Sequence, residues 1–317
     1  KVGSMIQYFK NIEGQTVEID NPEVGVWVNL VPPFKEEEFI DLSEKLDIPI
    51  EFLRDSLDID ERPRYEIADN VKFVVIKTPT ENNSFNDSDA FYITIPICII
   101  LTHTQIITVN SFDNGAINKF LNSFQKRHPD KKNMMILKVF EKVVQNFMEC
   151  LKEINIRRNQ YESSMYQSNS NIDLFNLMRI QKSLVYFVTA LKSNEMLMMK
   201  LERTNFLGLT EEEREFLNDL IVDTSQALEM ANIYTNILTS TLDAFASIIS
   251  NNLNNVMKRL TSITIILSLP VMVASLYGMN VDHIPGAHHP YSFYIPIGLS
   301  LALAGIISWY FMKKKWF

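Results

Sequence analysis

A row of polar side chains recurs at steps of four and three: Asn236, Ser240, Asp243, Ser247, Ser250, Asn254, Met257, Thr261, Thr264, Ser268, Val271 and Ser275, with only Met257 and Val271 apolar. That spacing puts them on one stripe of a helix. The stripe runs on past Leu260, after which the charged residues are Asp282, Lys313, Lys314 and Lys315 alone. A polar stripe facing lipid would leave its groups unsatisfied, so it must meet protein or water. If it meets water, the row offers a cation an oxygen-lined path. The competing reading is that the Ser and Thr hydroxyls bond back to their own helix or help helices pack.

The elements that must position this stripe follow from the charge distribution. The chain has 317 residues, with 30 Lys and Arg against 38 Asp and Glu. From Leu260 to Val281 and from His283 to Met312 there is no charge. Each stretch is long enough to cross a hydrocarbon core of roughly 30 Å as a helix. Two spans cannot enclose water, so a wet stripe requires several copies around an axis, with the first span innermost. Lys258 and Arg259 precede the first span, Lys313-Lys314-Lys315 follow the second, and the loop between them has no Lys or Arg. The positive-inside rule then puts both termini in the cytoplasm and the loop outside. Tyr277, Tyr291, Tyr294, Trp309, Tyr310 and Trp316 sit at interfacial depths. Gly298, Ala302 and Gly305 offer the second span a small face for packing on the first.

Upstream, short apolar runs alternate with turn signals. Val26–Leu30, Val71–Ile76, Tyr92–Leu101 and Gln105–Val109 read as strands. Phe34–Leu46, Ile50–Leu57 and Asn114–Phe124 read as helices, and Asn82–Asp89 as a polar loop, giving an α/β layered domain with a mixed sheet. After His128-Pro129 the chain turns helical, from Lys132 to about Gln167 and, capped by Asp173, on to about Arg203. Thr210-Glu211-Glu212-Glu213 reads as a capping box. No breaker follows until Pro270, which implies one helix of about 65 residues, on the order of 100 Å. Leu217, Ile221, Leu228, Ala231, Leu238, Leu242, Phe245, Ile249, Leu253, Val256 and Leu260 form its apolar seam for another helix. The expected fold is an α+β membrane protein. Residues 1–130 form a cytoplasmic α/β domain and 131–259 a helical hairpin and stalk. Residues 260–280 are the first span, 281–292 an outer loop, 293–312 the second span and 313–317 a basic tail.

Several classes are excluded. The net charge of −8 argues against nucleic acid as a partner. Cys98, between Ile97 and Ile99, and Cys150, far away in the sequence, read as thiols of a reducing compartment. HExxH, GxSxG, GxGxxG and P-loop patterns are missing, so an enzyme is the weakest option. Lys1 to Phe9 lacks the apolar core of a signal peptide, and Lys1-Val2-Gly3-Ser4 ahead of Met5 is set aside as foreign.

The first span ends in Tyr277-Gly278-Met279-Asn280. The tripeptide alone is weak. At the outer end of the first of two C-terminal spans, after a long helix and with Asn255-Val256-Met257-Lys258 before the membrane, it is specific. The chain resembles the CorA-type magnesium transporter family along its whole length, down to the basic aromatic end. The resemblance implies a homopentameric Mg²⁺ channel in which Gly278, Met279 and Asn280 form the outer filter and Met257 and Leu260 a hydrophobic gate. Asn254 is a polar companion of that gate, and Thr261, Thr264, Ser268, Val271 and Ser275 line the pore beyond it. It also implies a regulatory Mg²⁺ bridging Asp55 of one subunit and Asp219 of the next. Mg²⁺ dehydrates reluctantly, and amide and carbonyl oxygens can hold it hydrated. On residues alone, Met257 and Leu260 also fit plain packing, and Asp219 fits an acid favoured near a helix start.

The loop after the signature departs from the commonest family pattern. Asp282 is its only acid, His283, His288 and His289 lie in it, and Ile284-Pro285-Gly286 is similar to zinc-transporting relatives. Imidazole favours Zn²⁺, Co²⁺ or Ni²⁺ over Mg²⁺. The rivals to a Mg²⁺ channel are therefore a transition-metal transporter of the same architecture and a membrane-anchored scaffold or sensor.

Overall fold

A computed structural model of the chain describes residues 5–12, 15–20, 26–31, 36–82, 90–110, 132–168, 171–279, 290–291, 293–314 and 316. The chain divides into two compact units, Lys1–Thr239 and Ser240–Phe317.

The first unit is built on a seven-stranded mixed sheet in the order β2-β1-β3-β7-β6-β5-β4. Its strands are β1 (Met5–Ile12), β2 (Gln15–Ile19), β3 (Trp27–Val31), β4 (Arg64–Ala68), β5 (Val71–Glu81), β6 (Tyr92–Leu101) and β7 (Ile106–Asn110). β3 and β7 pair in parallel and the other pairs are antiparallel. Helices α1 (Glu36–Leu46) and α2 (Ile50–Asp55) cover one face. There Phe39, Leu42, Phe52 and Leu53 pack on Val28, Leu30, Phe73, Val75, Cys98 and Ile100. The alternating residues of β5 and β6, such as Val74, Ile76, Ile97 and Ile99, point to the other face and are also buried. A strand buried on both faces reads as a continuous apolar run, as Tyr92–Leu101 does. The hairpin of α3 (Lys132–Ser168) and α4 (Asn171–Thr204) lies on that second face.

Two prolines sit inside central strands, where proline removes a ladder donor. Pro96 of β6 stands opposite Lys77 of β5. Asn194 of α4 fills the gap: its Nδ2 donates to the Lys77 carbonyl at 2.8 Å, and the Lys77 N–H donates to Asn194 Oδ1 at 3.0 Å. Asn146 of α3 does the same next door, donating to the Pro79 carbonyl at 2.9 Å and to Thr78 Oγ1 at 3.1 Å. Asn194 thus supplies the donor that Pro96 takes from the sheet, and Asn146 ties the strand to α3 beside Pro79.

The chain then reverses through Asn205 (φ 47°) and Gly208 (φ +71°), both left-handed, where a side chain at the second position would be strained. It enters α5 (Glu211–Tyr277), a single helix of 67 residues that carries residues of both units. The capping box is in place: Thr210 N–H donates to Glu213 Oε2 at 2.9 Å, and Glu213 N–H to Thr210 Oγ1 at 3.4 Å. Asp173 lies in the first turn of α4, so it faces the dipole there and does not cap the helix.

In the second unit α5 is followed by α6 (Tyr294–Lys313), and both helices are long and apolar enough to cross a membrane. The helix expected at Asn114–Phe124, most of the Asn82–Asp89 loop and nearly all of the segment between α5 and α6 lie outside the described residues. Three strands, Met5–Ile12, Gln15–Ile19 and Arg64–Ala68, were not expected from the sequence.

Candidate ion path and regulatory carboxylates

Burial divides the faces of α5. In the first unit its buried seam is Glu213, Leu217, Leu220, Thr224, Ala227, Ala231 and Leu238, stepping by four, three and seven. This seam meets the hairpin: Thr224 Oγ1 lies 3.6 Å from Met198 Sδ, and the Lys138 ammonium lies 4.3 Å from the Phe216 ring centroid. The apolar seam expected from the sequence is displaced here. Ile221 and Leu228 are half-buried, because small residues at Thr224, Ala227 and Ala231 let the hairpin approach closest one position away.

Further along, the same helix is uncovered. Ile249, Leu253, Val256, Met257 and Leu260 are all more than half exposed. So is the polar stripe: Asn254, Thr261, Thr264, Ser268, Val271 and Ser275 are exposed. Within the span the buried positions are Ser262 and Val273, with Ile265, Ile266, Leu269, Pro270 and Tyr277 half-buried on the same face. That face packs within the unit, and the polar stripe lies about 160° round the helix, almost opposite it. Thr264 donates to the Leu260 carbonyl at 2.8 Å and Ser268 to the Ile265 carbonyl at 2.9 Å, so each hydroxyl spends its proton on the backbone and keeps its oxygen for a partner. Both readings of the stripe therefore hold locally: Thr264 and Ser268 bond back, and their face stays uncovered among the described residues.

On α6 the expected small face is corrected. A Cβ added to Gly298 or Gly305 would meet nothing within 4 Å, and Ala302 is exposed. The packed face carries Ser300, Ala304, Ile307, Ser308 and Phe311 instead, where Ser300, Ala304 and Ser308 supply the small four-residue repeat. Glycine content alone pointed to the wrong side of the helix.

At the end of α5 the Gly278 N–H donates to the Ala274 carbonyl at 2.9 Å, and a Cβ at Gly278 would sit 3.2 Å from that same oxygen. Glycine thus lets the last turn close tightly before the chain leaves the helix. Met279 is 54% exposed. Asn280, the third residue of the signature, and the loop histidines lie outside the described residues.

Asp55 and Asp219 sit in different settings. Asp55 ends α2, on the α1–α2 face of the sheet. Its Oδ2 accepts from Arg64 Nη2 at 2.7 Å, and the same guanidinium also holds Glu61 at 3.0 Å and Glu66. Burial pushes the Asp55 carboxyl above the usual carboxylate range, against the pull of Arg64. Asp219 lies on α5 in a cleft of about 450 Å³ shared with α3, lined also by Glu141, Glu149, Asp223 and Lys152. Among the described residues no cluster of three His, Cys, Asp or Glu is placed to hold a metal within one chain. The carboxylate cluster on Arg64 and the acidic cleft beside Asp219 were not expected from the sequence. The run Glu61-Arg62-Pro63-Arg64-Tyr65-Glu66 was the available signal for the first.

Residues 23–315 match the protein family described as CorA-like Mg²⁺ transporter protein. A cobalt/magnesium transport protein CorA of Methanocaldococcus jannaschii is 25% identical, over 92% of this chain and 91% of that protein. A protein of the same name from Thermotoga maritima is 21% identical over 98% and 90%. The complete structure of the Methanocaldococcus jannaschii CorA magnesium transporter superposes with a TM-score of 0.86 at 22% identity, covering 100% of both chains. The ZntB cytoplasmic domain from Vibrio parahaemolyticus shares the fold over 78% of this chain and 99% of that one, with a TM-score of 0.62 at 13% identity.

Proposed function

Since the chain belongs to the CorA-like Mg²⁺ transporter family, we propose that it forms a homopentameric, channel-like path for passive Mg²⁺ uptake across the cell membrane. The observation that carries this reading is the uncovered lower half of α5, where an apolar seam (Ile249, Leu253, Val256, Leu260) and a polar stripe lie side by side with no partner among the described residues. Several copies around an axis would bury the seam between neighbours and leave the stripe facing water. Met257 and Leu260, both more than half exposed, then ring the inner end and gate by dewetting. Gly278, Met279 and Asn280 ring the outer end, where carbonyl and amide oxygens hold a hydrated ion without stripping it.

An inside-negative potential favours entry of a doubly charged ion by about 4.6 kcal/mol per 100 mV, so uptake needs a brake rather than a fuel. In this reading the brake is Mg²⁺ held between Asp55 of one subunit and Asp219 of its neighbour. Two such carboxylates repel unless a cation sits between them. Loss of internal Mg²⁺ then lets neighbouring domains part. Both termini lie in the cytoplasm and the filter outside.

Mg²⁺ entry into proteoliposomes loaded with a Mg²⁺-sensitive dye tests the reading. The intact chain should conduct and Asn280→Ala should not, with assembly unchanged. Normal flux through that variant would refute the filter, and no flux through the intact protein would favour a scaffold or sensor. The Methanocaldococcus relative is named for cobalt as well as magnesium, which favours a second reading with Co²⁺ as cargo, and the loop histidines His283, His288 and His289 extend that reading to Zn²⁺ and Ni²⁺. Competition of those ions with Mg²⁺ separates the two.

A further inference from the structure

The end of the membrane unit that carries its positive charge has a built form. Lys258 and Arg259 stand where α5 enters its span, and Lys313, Lys314 and Lys315 where α6 leaves its own. Two consecutive spans reverse direction, so these groups collect on one side of the bilayer. From Ala244 to Phe317 the only acid is Asp282, at the opposite side. Lys258, Arg259, Lys313 and Lys314 are exposed, and no carboxylate pairs with them among the described residues. Among the described residues this charge therefore has no counter-ion.

The aromatic residues beside it are ordered. The Trp316 N–H donates to the Phe311 carbonyl at 3.1 Å, and its ring stacks on Phe311 at 5.1 Å and 5°. Phe311 is buried at 7% exposure, so this fold-back ties the tail to the body of the unit. The Lys314 N–H donates to the Tyr310 carbonyl at 3.0 Å, and the Lys313 ammonium lies 5.3 Å from the Trp309 ring centroid. Trp309 and Tyr310 stay largely exposed. Lysines held beside exposed amphipathic rings at the end of an apolar helix match the headgroup layer, where rings lie at the acyl boundary and ammonium groups meet phosphate.

We infer that Lys258, Arg259, Lys313 and Lys314 form a docking surface for the headgroups of anionic phospholipids. This rests on reading α5 and α6 as membrane-spanning, and on no assumption about the transported ion. A soluble phosphate would gain the charge but not the rings, which single out a lipid as the occupant. Each basic residue near an anionic surface favours it by about fivefold.

The full-length protein is reconstituted in phosphatidylcholine vesicles containing a fifth phosphatidylglycerol, with bromine on the acyl chains of one lipid or the other at equal mole fraction. Trp309 and Trp316 are the reporters. Trp27, buried in the sheet at 4% exposure, supplies a constant background. Brominated phosphatidylglycerol should quench more strongly than brominated phosphatidylcholine. The difference should shrink in high salt. It should fall at least fivefold in Lys313→Gln/Lys314→Gln/Lys315→Gln and further when Lys258→Gln and Arg259→Gln are added. Equal quenching by the two lipids, or a preference untouched by these substitutions, would overturn the inference. Failure of both lipids to quench would overturn the membrane reading beneath it.

Discussion

Asp55 is not an idle carboxylate awaiting a cation. Arg64 already occupies it, together with Glu61 and Glu66. A divalent ion bridging Asp55 to a neighbour must share the carboxylate with that guanidinium or displace it. Arg64→Gln removes the competitor and leaves three acids facing one another, so the rise in melting temperature on adding Mg²⁺ should be larger than in the parent. An unchanged rise would separate Asp55 from metal binding. The partner residue is tested by Asp219→Lys, which should weaken Mg²⁺-dependent protection of the cytoplasmic domain from protease; unchanged protection in the assembled protein would remove Asp219 from the sensor. Because burial raises the Asp55 carboxyl, its folded form binds a proton more readily than the unfolded one. Its ionisation therefore costs stability as pH rises through that window. Mg²⁺ competes with the same proton, so protection by Mg²⁺ should weaken on acidification sooner than for an ordinary aspartate. Cys98 is pushed up to about 12 by complete burial, and it should resist alkylation at pH 8 until the protein is denatured.

At the scale of the elements, the sheet depends on helices that lend it hydrogen bonds. Asn194 is 1% exposed and satisfies both backbone polar groups of Lys77 opposite Pro96. Asn194→Leu should cost about 2–4 kcal/mol in chemical denaturation, since it orphans a buried donor and acceptor. A loss below about 0.5 kcal/mol would mean that the strand finds other partners. Thr210→Ala should cost about 1 kcal/mol by removing half of the capping box. The long helix, its cap and the β6 strand were legible because each is a strong local signal: an unbroken period, a Thr-x-x-Glu spacing, an apolar run between turns. Arg64–Ala68 was not, since the strand Arg-Tyr-Glu-Ile-Ala alternates weakly and its pairing with Val71–Val75 is set by the tertiary fold. The role of Asn194 was hidden for the same reason, because its partner lies 117 positions away. The glycines of α6 misled because small residues mark close packing only when the partner is on their side, and burial shows that Ser300 and Ala304 face it.

At the scale of the whole molecule, one continuous α5 carries both the acid cleft at Asp219 and the stripe at Thr261–Ser275. In the proposed mechanism a change at the Asp219 cleft would be passed towards Met257 and Leu260 along a helix without a loop between them, and only Pro270 interrupts its ladder. The composition of the chain marks which part can cross a membrane, while the proposed ring of copies would account for the faces of α5 left bare among the described residues. The central claim is that the polar stripe borders water that a divalent cation crosses. Single cysteines at Thr264, Ser268 and, as the control on the packed face, Ser262 address it directly, in proteoliposomes held at low Mg²⁺ and treated with a charged, membrane-impermeant thiol reagent. The account predicts that Mg²⁺ flux is blocked at Thr264→Cys and Ser268→Cys and unaffected at Ser262→Cys. Full flux at both stripe positions after treatment, or equal block at all three, would contradict it.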